Sequence, residues 1–323
     1  MHRVLVLCLD GVVDSSLALS HDTIETANRL AIAKGLGVRF ETTFVHPTRK
    51  RIRTGMGATV EVHPVSRIRR ADSLIIPGLG LATAEEIERF FSTRATRVIV
   101  DWLREAGPRC GYLGASCSGV FLLGEAGLLK DRIATTTWWL GPVFRARHPE
   151  VDLDESRMLA TTGSVVCAGA ALAHVDLMLH LVARKAGPLL SREVSRYLAI
   201  DERPSQARYM MLSALSDLGD EVGRVERWIR QNLARPFSIV EMAKALGMSP
   251  RTLDRRIRRA TGLGPSRFLQ RVRLEHAVHL LETSDQSIAE VAECVGYRDP
   301  TSLRRSLRRN LDLNPREVRR NSG

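Results

Sequence analysis

Residues 238–260, SIVEMAKALGMSPRTLDRRIRRA, constrain the fold of this chain more than any other stretch. Ser238 and Glu241 form an S-x-x-E capping box, which predicts that a helix starts there. Apolar residues at helical spacing give this helix one buried side: Ile239, Met242, Ala243 and Leu246. Gly247 is the expected left-handed residue that ends the helix. Ser249, followed by a proline, then predicts the start of a second helix.

The second helix of this pair separates apolar from charged residues. Its predicted inner side consists of Leu253, Ile257 and Ala260. Four charged residues fall on another side: Arg251, Asp254, Arg255 and Arg258. A short helix, a glycine turn and an arginine-rich helix are typical of a helix-turn-helix motif, whose second helix enters the major groove of DNA.

The same pattern recurs farther along the chain. Ser287 to Glu290 repeats the capping box 49 residues after Ser238, and Gly296 repeats Gly247 at the same offset. After a one-residue insertion the repeat continues through Leu303, Leu307, Arg308, Arg309 and Pro315. One such motif could be a plain helical hairpin, but internal similarity indicates two copies of one structural unit. The residues expected to contact DNA in the second copy are Thr301, Arg304, Arg305 and Arg308.

The repeated region, about Val222 to Arg320, resembles the DNA-binding domain of the AraC/XylS family of transcription regulators. The matching residues are Gly262, Pro265, Phe268, Arg273, Ala277, Leu280, Leu281, Ile288, Val291, Ala292, Val295, Gly296, Tyr297, Asn314, Pro315 and Arg319. Leu307 stands where the family usually has phenylalanine, a conservative change in the core. The resemblance implies a sequence-specific regulator, here expected to be an activator. Its implied partners are double-stranded operator DNA, RNA polymerase and a second copy of the chain.

Charge separates the last third of the chain from the rest. From Gly223 onward, 21 Arg and Lys stand against 11 Asp and Glu, a net charge of +10, whereas the first 222 residues carry a net charge of +2. The basic excess therefore coincides with the doubled motif. This asymmetry is the electrostatic pattern expected of a domain that binds a polyanion.

The cysteine pattern argues against a disulfide scaffold. The chain has five cysteines without paired spacings: Cys8, Cys110, Cys117, Cys167 and Cys294. An odd, unpaired set favours a reducing compartment, and we expect neither a metal nor a cofactor. Asp10 and Asp14 interrupt the first apolar run, which is therefore not predicted to be a signal peptide. Because no apolar stretch reaches membrane-spanning length, we expect a soluble, cytoplasmic protein without a membrane partner.

The first two thirds of the chain alternate between apolar runs and helical patterns. The predicted strands are residues 4–9, 38–45, 59–62, 74–76, 110–115 and 163–168, and the predicted helices include 20–34, 83–91, 96–105 and 170–185. Residues 46–57 are expected to form a surface loop, and residues 197–200 a last strand. Alternating strands and helices of this length predict a doubly wound α/β layer.

The segment from Ala115 to Gly119 follows one of these strands. Small residues on both sides of Cys117 allow the sharp strand-to-helix turn called a nucleophile elbow. Such a turn points Cys117 into the crevice at the carboxyl ends of the strands, where a helix N-terminus is expected to favour the thiolate. A small buried residue at a tight turn is an equally good interpretation of Cys117.

Open α/β sheets bind small molecules in this crevice, so it is the predicted ligand site. The candidate residues that line it are Asp14, Gly78, Cys117, Ser118, Thr137 and Trp138. Asp14 could supply a counter-charge and Trp138 an aromatic wall for a cationic metabolite. Ordinary packing is the alternative interpretation of Trp138 and the tryptophan that follows it.

The region from about Arg3 to Met211 resembles the class I glutamine amidotransferase-like (ThiJ/PfpI) domain, which occurs fused to AraC-type domains. The resemblance rests on residues 71–78, 117–129 and 132–138. In hydrolytic relatives a histidine follows the cysteine, where this chain has Ser118, and in regulators a histidine usually stands where this chain has Thr137. His174 is expected to be a core residue rather than a catalytic base. We therefore expect no enzyme activity; the alternative is a cysteine-dependent amidase or hydrolase fused to a DNA-binding module.

These patterns together predict a chain of two domains. Residues 1–211 form a doubly wound α/β domain, flavodoxin-like and glutamine amidotransferase-like, for sensing and dimerisation. Residues 212–221 form a linker, and residues 222–323 form an all-α DNA-binding domain with two helix-turn-helix motifs. The resemblance implies an effector such as an amino acid or a quaternary amine.

Overall fold

The computed structural model describes residues 1–65, 73–203, 205–210, 220–311 and 313–320. The chain divides into two compact units, Met1–Gln206 and Ala207–Gly323. The predicted linker, residues 212–221, lies outside the described residues except for its last two, which begin a helix. None of the described helices is both long and apolar enough to cross a lipid bilayer.

The first unit is built on a mixed β-sheet. Seven of the described strands form it, in the order β10-β11-β7-β6-β1-β2-β5. The strands are β1 His2–Leu7, β2 Phe40–His46, β5 His63–Pro64, β6 Ser73–Ile76, β7 Tyr112–Ser116, β10 Leu159–Thr162 and β11 Val165–Ala168. All neighbours are parallel except β10, which pairs antiparallel with β11. The central order β2-β1-β6-β7-β11 is the flavodoxin-like order, which confirms the predicted fold class.

Helices cover both faces of this sheet. They are α1 Asp14–Ala33, α2 Ala84–Ser92, α3 Arg94–Ala106, α4 Val120–Glu125, α5 Gly141–Arg147, α6 Ala173–Ala186 and α7 Pro188–Tyr197. One buried cluster includes Ile87, Leu103 and Phe144 from α2, α3 and α5. The other includes Ile24 of α1 and Leu181 of α6. The sheet is therefore buried on both faces, as its nearly continuous apolar strands require.

Two short segments differ from the sequence-based expectation. The predicted loop 46–57 contains a strand, β3 Arg51–Arg53, which forms a hairpin with β4 Thr59–Glu61. The buried Ile52 lies between two exposed arginines, an alternation too short to be recognised in the sequence. Residues 197–200 form no strand; they turn back on α7, and Ile200 N donates to Ser195 O at 2.8 Å. The remaining short pair is β8 Ile133–Ala134 with β9 Asp152–Leu153.

The described part of the second unit is helical. Its helices are α8 Asp220–Gln231, α9 Ile239–Ala245, α10 Pro250–Thr261, α11 Pro265–Thr283, α12 Ile288–Cys294, α13 Pro300–Leu311 and α14 Pro315–Arg320. The pairs α9–α10 and α12–α13 are the two predicted helix-turn-helix motifs. The helix α11 lies between them in the chain and contributes buried Phe268, Leu274 and Leu281. The all-α double motif predicted from the sequence is therefore confirmed.

Candidate nucleic-acid interface and ligand crevice

Local hydrogen bonds set the ends of the first helix pair. Glu241 N donates to Ser238 Oγ at 3.1 Å, and Ser238 N donates to Glu241 Oε2 at 2.8 Å, which completes the capping box. Gly247 follows α9 with φ +68°. Ser249 Oγ then accepts from Thr252 N at 3.1 Å and caps α10. The turn between the helices is thus specified by residues close to it in the sequence.

The second helix pair repeats this arrangement with a different cap. Ser287 and Glu290 complete a capping box at 3.2 and 2.6 Å, and Gly296 has φ +74°. Asp299 caps α13, because its carboxylate accepts from Ser302 N and Ser302 Oγ, both at 2.8 Å. Sequence reasoning missed Asp299, although an aspartate before a proline stands where the first copy has Ser249.

Both second helices present their charged faces outward. The side facing the core carries buried Leu253 and Ile257 in α10, and Leu303 and Leu307 in α13. Of the eight residues predicted to contact DNA, seven are exposed and Asp254 is half-buried. The exposed residues are Arg251, Arg255, Arg258, Thr301, Arg304, Arg305 and Arg308. Two arginine-bearing surfaces are therefore free to meet a polyanion.

A buried arginine connects the helical framework of the second unit. Arg271 of α11 donates to the carbonyl oxygens of Ala207 and Met210 (2.8 Å to Met210) and to Glu275 Oε1 at 3.1 Å. Glu275 also lies 3.7 Å from Arg230 of α8. These bonds satisfy a guanidinium that would be costly to bury alone. With 19 residues, α11 is about 28 Å long at the usual helical rise.

The predicted elbow is present in the first unit. Cys117 has φ +53°, and its N–H donates to Gly169 O at 2.8 Å. Gly119 is required two residues later, since a Cβ atom there would lie 2.3 Å from Pro77 O. A 3₁₀ turn, Cys117–Gly119, separates the strand β7 from α4. The strained backbone of Cys117 is thus held by the hydrogen bond to Gly169, which follows β11, and by the close approach of Gly119 to Pro77, which follows β6.

The crevice residues come together but pack tightly. A Cβ atom on Gly78 would lie 3.0 Å from Cys117 Cβ, and Ser118 Oγ accepts from Leu79 N at 2.9 Å. Gly78, Cys117, Ser118, Thr137 and Trp138 are all buried. The side chain of Asp14 is engaged elsewhere, because Oδ2 accepts from Met56 N at 2.9 Å. The residues predicted to line the elbow crevice are therefore in close contact and buried, apart from Asp14, which is half-buried.

The environment of Cys117 does not favour a thiolate. Burial raises the pKa of its thiol, and hydrogen bonding from Ser118 offsets this only in part. The expectation that the helix N-terminus would favour the thiolate is therefore wrong. Desolvation of the charged form outweighs a 3₁₀ turn that presents few free N–H groups.

His174 is a fully buried core residue rather than a base for Cys117. Its Nε2 lies 2.7 Å from Ser20 Oγ, which itself donates to Ser16 O at 2.8 Å. Ser20 must therefore accept from Nε2–H, and Nδ1 accepts from Ser116 Oγ at 2.8 Å. Both ring nitrogens are committed, and burial lowers the pKa of His174 to about 3.

Gln206, which sequence reasoning missed, connects the segments that pack against the elbow. Gln206 is buried; its amide nitrogen donates to Thr136 O at 3.0 Å, and its amide oxygen accepts from Ala170 N at 2.9 Å. Thr136 Oγ1 in turn donates to Cys117 O at 2.7 Å. No local pattern marks Gln206, because its partners are distant in the sequence. Among the described residues, no three histidine, cysteine, aspartate or glutamate side chains form a group that could hold a metal ion.

Both units of the chain are similar to parts of known proteins. A family model described as a helix-turn-helix domain matches residues 242–321. The HTH-type transcriptional regulator GlxA of Rhizobium meliloti (strain 1021) is 29% identical over 234 residues, which cover 72% of this chain and 71% of that protein. The HTH-type transcriptional regulator CdhR of Pseudomonas aeruginosa is 29% identical over 231 residues, covering 69% and 67%. Each alignment is longer than either unit and so includes parts of both.

Two further similarities cover a smaller part of this chain. The HTH-type transcriptional activator RhaS of Klebsiella pneumoniae (strain 342) is 38% identical over 92 residues, which cover 28% of this chain and 33% of that protein. The crystal structure of an AraC family transcriptional regulator from Pseudomonas putida matches with a TM-score of 0.50 and 21% identity. It covers 61% of this chain and 100% of that chain, more than the helical unit could supply, so the match includes the α/β fold.

The similarities agree with the doubled motif of the helical unit: both indicate a protein that binds DNA. DNA is therefore a partner of the helical unit. The last third of the chain contains a helix-turn-helix domain, and the chain is similar along both units to HTH-type transcriptional regulators; its α/β unit shares the fold of the AraC family regulator from Pseudomonas putida.

Proposed function

We propose that α10 and α13 read one operator, and that the amino-terminal domain, residues 1–211, controls this activity by sensing a metabolite and by forming a homodimer. The observation that carries the proposal is the outward position of the seven exposed residues on both helices. Two helices that read one face of B-DNA should lie about one turn, ~34 Å, apart. The intervening helix α11, at about 28 Å, is of a suitable length to hold them.

The contacts divide into base readers and phosphate binders. Arginine can make paired hydrogen bonds to guanine, and Thr301 can contact a thymine methyl group. Arg255 and Arg305 occupy equivalent, exposed positions in the two helices and are the proposed base readers. Some of the other arginines bind phosphate groups, which positions the protein on DNA without specifying a sequence.

A DNA-binding experiment tests this assignment. Genomic fragments that the full-length protein retains are selected, and affinity for a selected fragment and for its scrambled sequence is measured by fluorescence anisotropy. Arg255→Ala should reduce affinity for the selected fragment by ~1–3 kcal/mol and leave the scrambled one nearly unchanged. Arg267→Ala, at an exposed position of α11, is the matched control. Equal losses on both sequences would reassign Arg255 to phosphate.

The effector is proposed to bind in the elbow crevice, with an amino acid or a quaternary amine as the expected class. Binding there requires Trp138 or the loop around Gly78 to shift, since these residues are buried. Activation through RNA polymerase is proposed because RhaS, which resembles the helical unit, is named an activator. A thermal-shift screen of metabolites on the full-length protein, followed by transcription from a selected fragment, tests both points.

We further propose that the amino-terminal domain is a receptor without catalytic activity. Three observations support this: the commitment of both His174 nitrogens, the raised pKa of the Cys117 thiol and the burial of Cys117. The rival is a cysteine-dependent amidase, which the positive φ of the elbow cysteine favours. Amide hydrolysis by the purified protein that disappears in Cys117→Ala would establish the rival.

A further inference from the structure

The α/β unit contains a cavity of 370 Å³ that includes none of the elbow residues. It lies between α6, α7 and the segment Ile200–Arg203, with Met158 and Leu159 at its edge. Its volume falls in the range of small-molecule sites. Unlike the crevice at Cys117, it has room for a ligand without any rearrangement of the protein.

One wall of this cavity is apolar. It is formed by half-buried Leu159, Leu179, Ala183 and Ile200, together with buried Met158. These side chains come from three separate segments, so the wall exists only in the folded unit. It offers methyl and methylene surface against which a short hydrocarbon body can lose its contact with water.

Two of the charged groups in the cavity neutralise each other. Asp176 forms an ion pair with Arg203, and Arg203 also donates to Leu172 O at 2.9 Å. The two side chains are only 10% and 18% exposed. Their charges therefore neutralise each other within the protein, although the buried Nε of Arg203 bonds to no described residue.

The remaining charges favour a cation. Asp201, Glu202 and Arg192 also line the cavity, all three are exposed, and none forms an ion pair with a described residue. His180 adds no charge at neutral pH, because burial lowers its pKa and its Nδ1 is bonded to Tyr112 Oη at 3.0 Å. Among the exposed charged residues of the lining, two carboxylates against one guanidinium leave one excess negative charge.

We propose that this cavity binds a small organic cation, an ammonium group on a short apolar body. The ammonium pairs with Asp201 and Glu202 at the opening, and the body lies against Leu179, Ala183 and Ile200. The proposal goes beyond the proposed function, because it assigns a second site that does not depend on DNA or on the elbow.

Titration calorimetry of the full-length protein tests the proposal with three probes of similar shape: pentylammonium, pentan-1-ol and pentanoate. Pentylammonium should bind most tightly and pentanoate least. The double variant Asp201→Asn, Glu202→Gln should weaken pentylammonium about tenfold. The control Glu85→Gln, Glu105→Gln changes the net charge equally at exposed positions of α2 and α3 and should leave binding unchanged.

A second variant tests the position of the apolar body. Ala183→Phe fills the cavity from α6, and Ser195→Phe fills it from α7; each should abolish pentylammonium binding while the urea midpoint is followed in parallel. Equal affinity for the three probes, absence of pentylammonium binding, or retention of binding in the Asp201, Glu202 double variant would each overturn the proposal. DNA affinity is measured separately, so the calorimetry result can be interpreted even if the proposed DNA-binding function fails.

Discussion

Asp254 binds Arg258 one turn later in α10, with both carboxylate oxygens 2.9 Å from Nε. The equivalent pair in α13 is Arg304 and Arg308, which are both exposed cations. The two recognition helices therefore repeat the same framework with different charge. An aspartate on the first helix holds one arginine and repels phosphate, whereas the second helix has no such restraint.

Asp254→Asn should release Arg258 for a phosphate contact. If one contact is gained, the slope of log affinity against log salt should steepen by about 0.9. The measurement is anisotropy of the full-length protein on a non-specific duplex at several salt concentrations. Glu282→Gln makes the same change in charge at an exposed position of α11. Identical effects in both variants would mean that only net charge matters.

The turn glycines of the two motifs should differ in their tolerance of alanine. Gly247 has φ +68°, and a Cβ atom added there would meet no atom within 4 Å beyond its chain neighbours. Gly247→Ala should therefore cost only the left-handed strain, about 1 kcal/mol. At Gly296, with φ +74°, the added Cβ would also lie 2.3 Å from Leu233 O. Gly296→Ala should therefore reduce the free energy of unfolding clearly more. Urea denaturation of both variants measures the difference, and equal losses would contradict the predicted clash.

The thiol of Cys117 should react slowly. Because burial raises its pKa, less thiolate is present at any given pH than for an ordinary cysteine. In iodoacetamide labelling followed by mass spectrometry, Cys294, which is half-buried, should be modified first. Cys117 should be modified only when the unit opens. Rapid labelling of Cys117 at neutral pH would instead indicate an activated nucleophile and support the hydrolase alternative.

His174 should make the stability of the α/β unit sensitive to acid. Its pKa is about 3 in the folded protein, against ~6.5 in an unfolded chain. Between these values the unfolded state binds a proton that the folded state does not. Stability from this group is therefore full above about pH 6.5 and is lost as the pH falls towards 3.

The measurement compares urea midpoints at about pH 7.5 and about pH 5. His174→Gln should lower stability at the higher pH but lose less on acidification than the wild type. His21→Gln, at an exposed position of α1, should behave like the wild type. If the wild type and His174→Gln respond alike to acid, the buried histidine does not control this dependence.

The sequence alone was sufficient for the helical unit. Capping boxes such as Ser238 with Glu241, and turn glycines such as Gly247, act within a few residues of themselves, so their effect is visible in the chain. The duplication then turned a weak local signal into a specific one. The cap at Asp299 is equally local, since an aspartate before a proline stands where the first copy has Ser249.

The chemistry of the α/β unit was decided by the tertiary structure. The sequence indicated the elbow, but the burial of Cys117, the hydrogen bonds of His174 and the position of Gln206 depend on residues 36 to 154 positions away. The cavity between α6 and α7 likewise exists only once Leu159 and Ile200 meet. Local patterns fix where a helix or turn begins, because their interactions are local. Whether a side chain is charged, buried or open to a ligand depends on which distant segments pack around it.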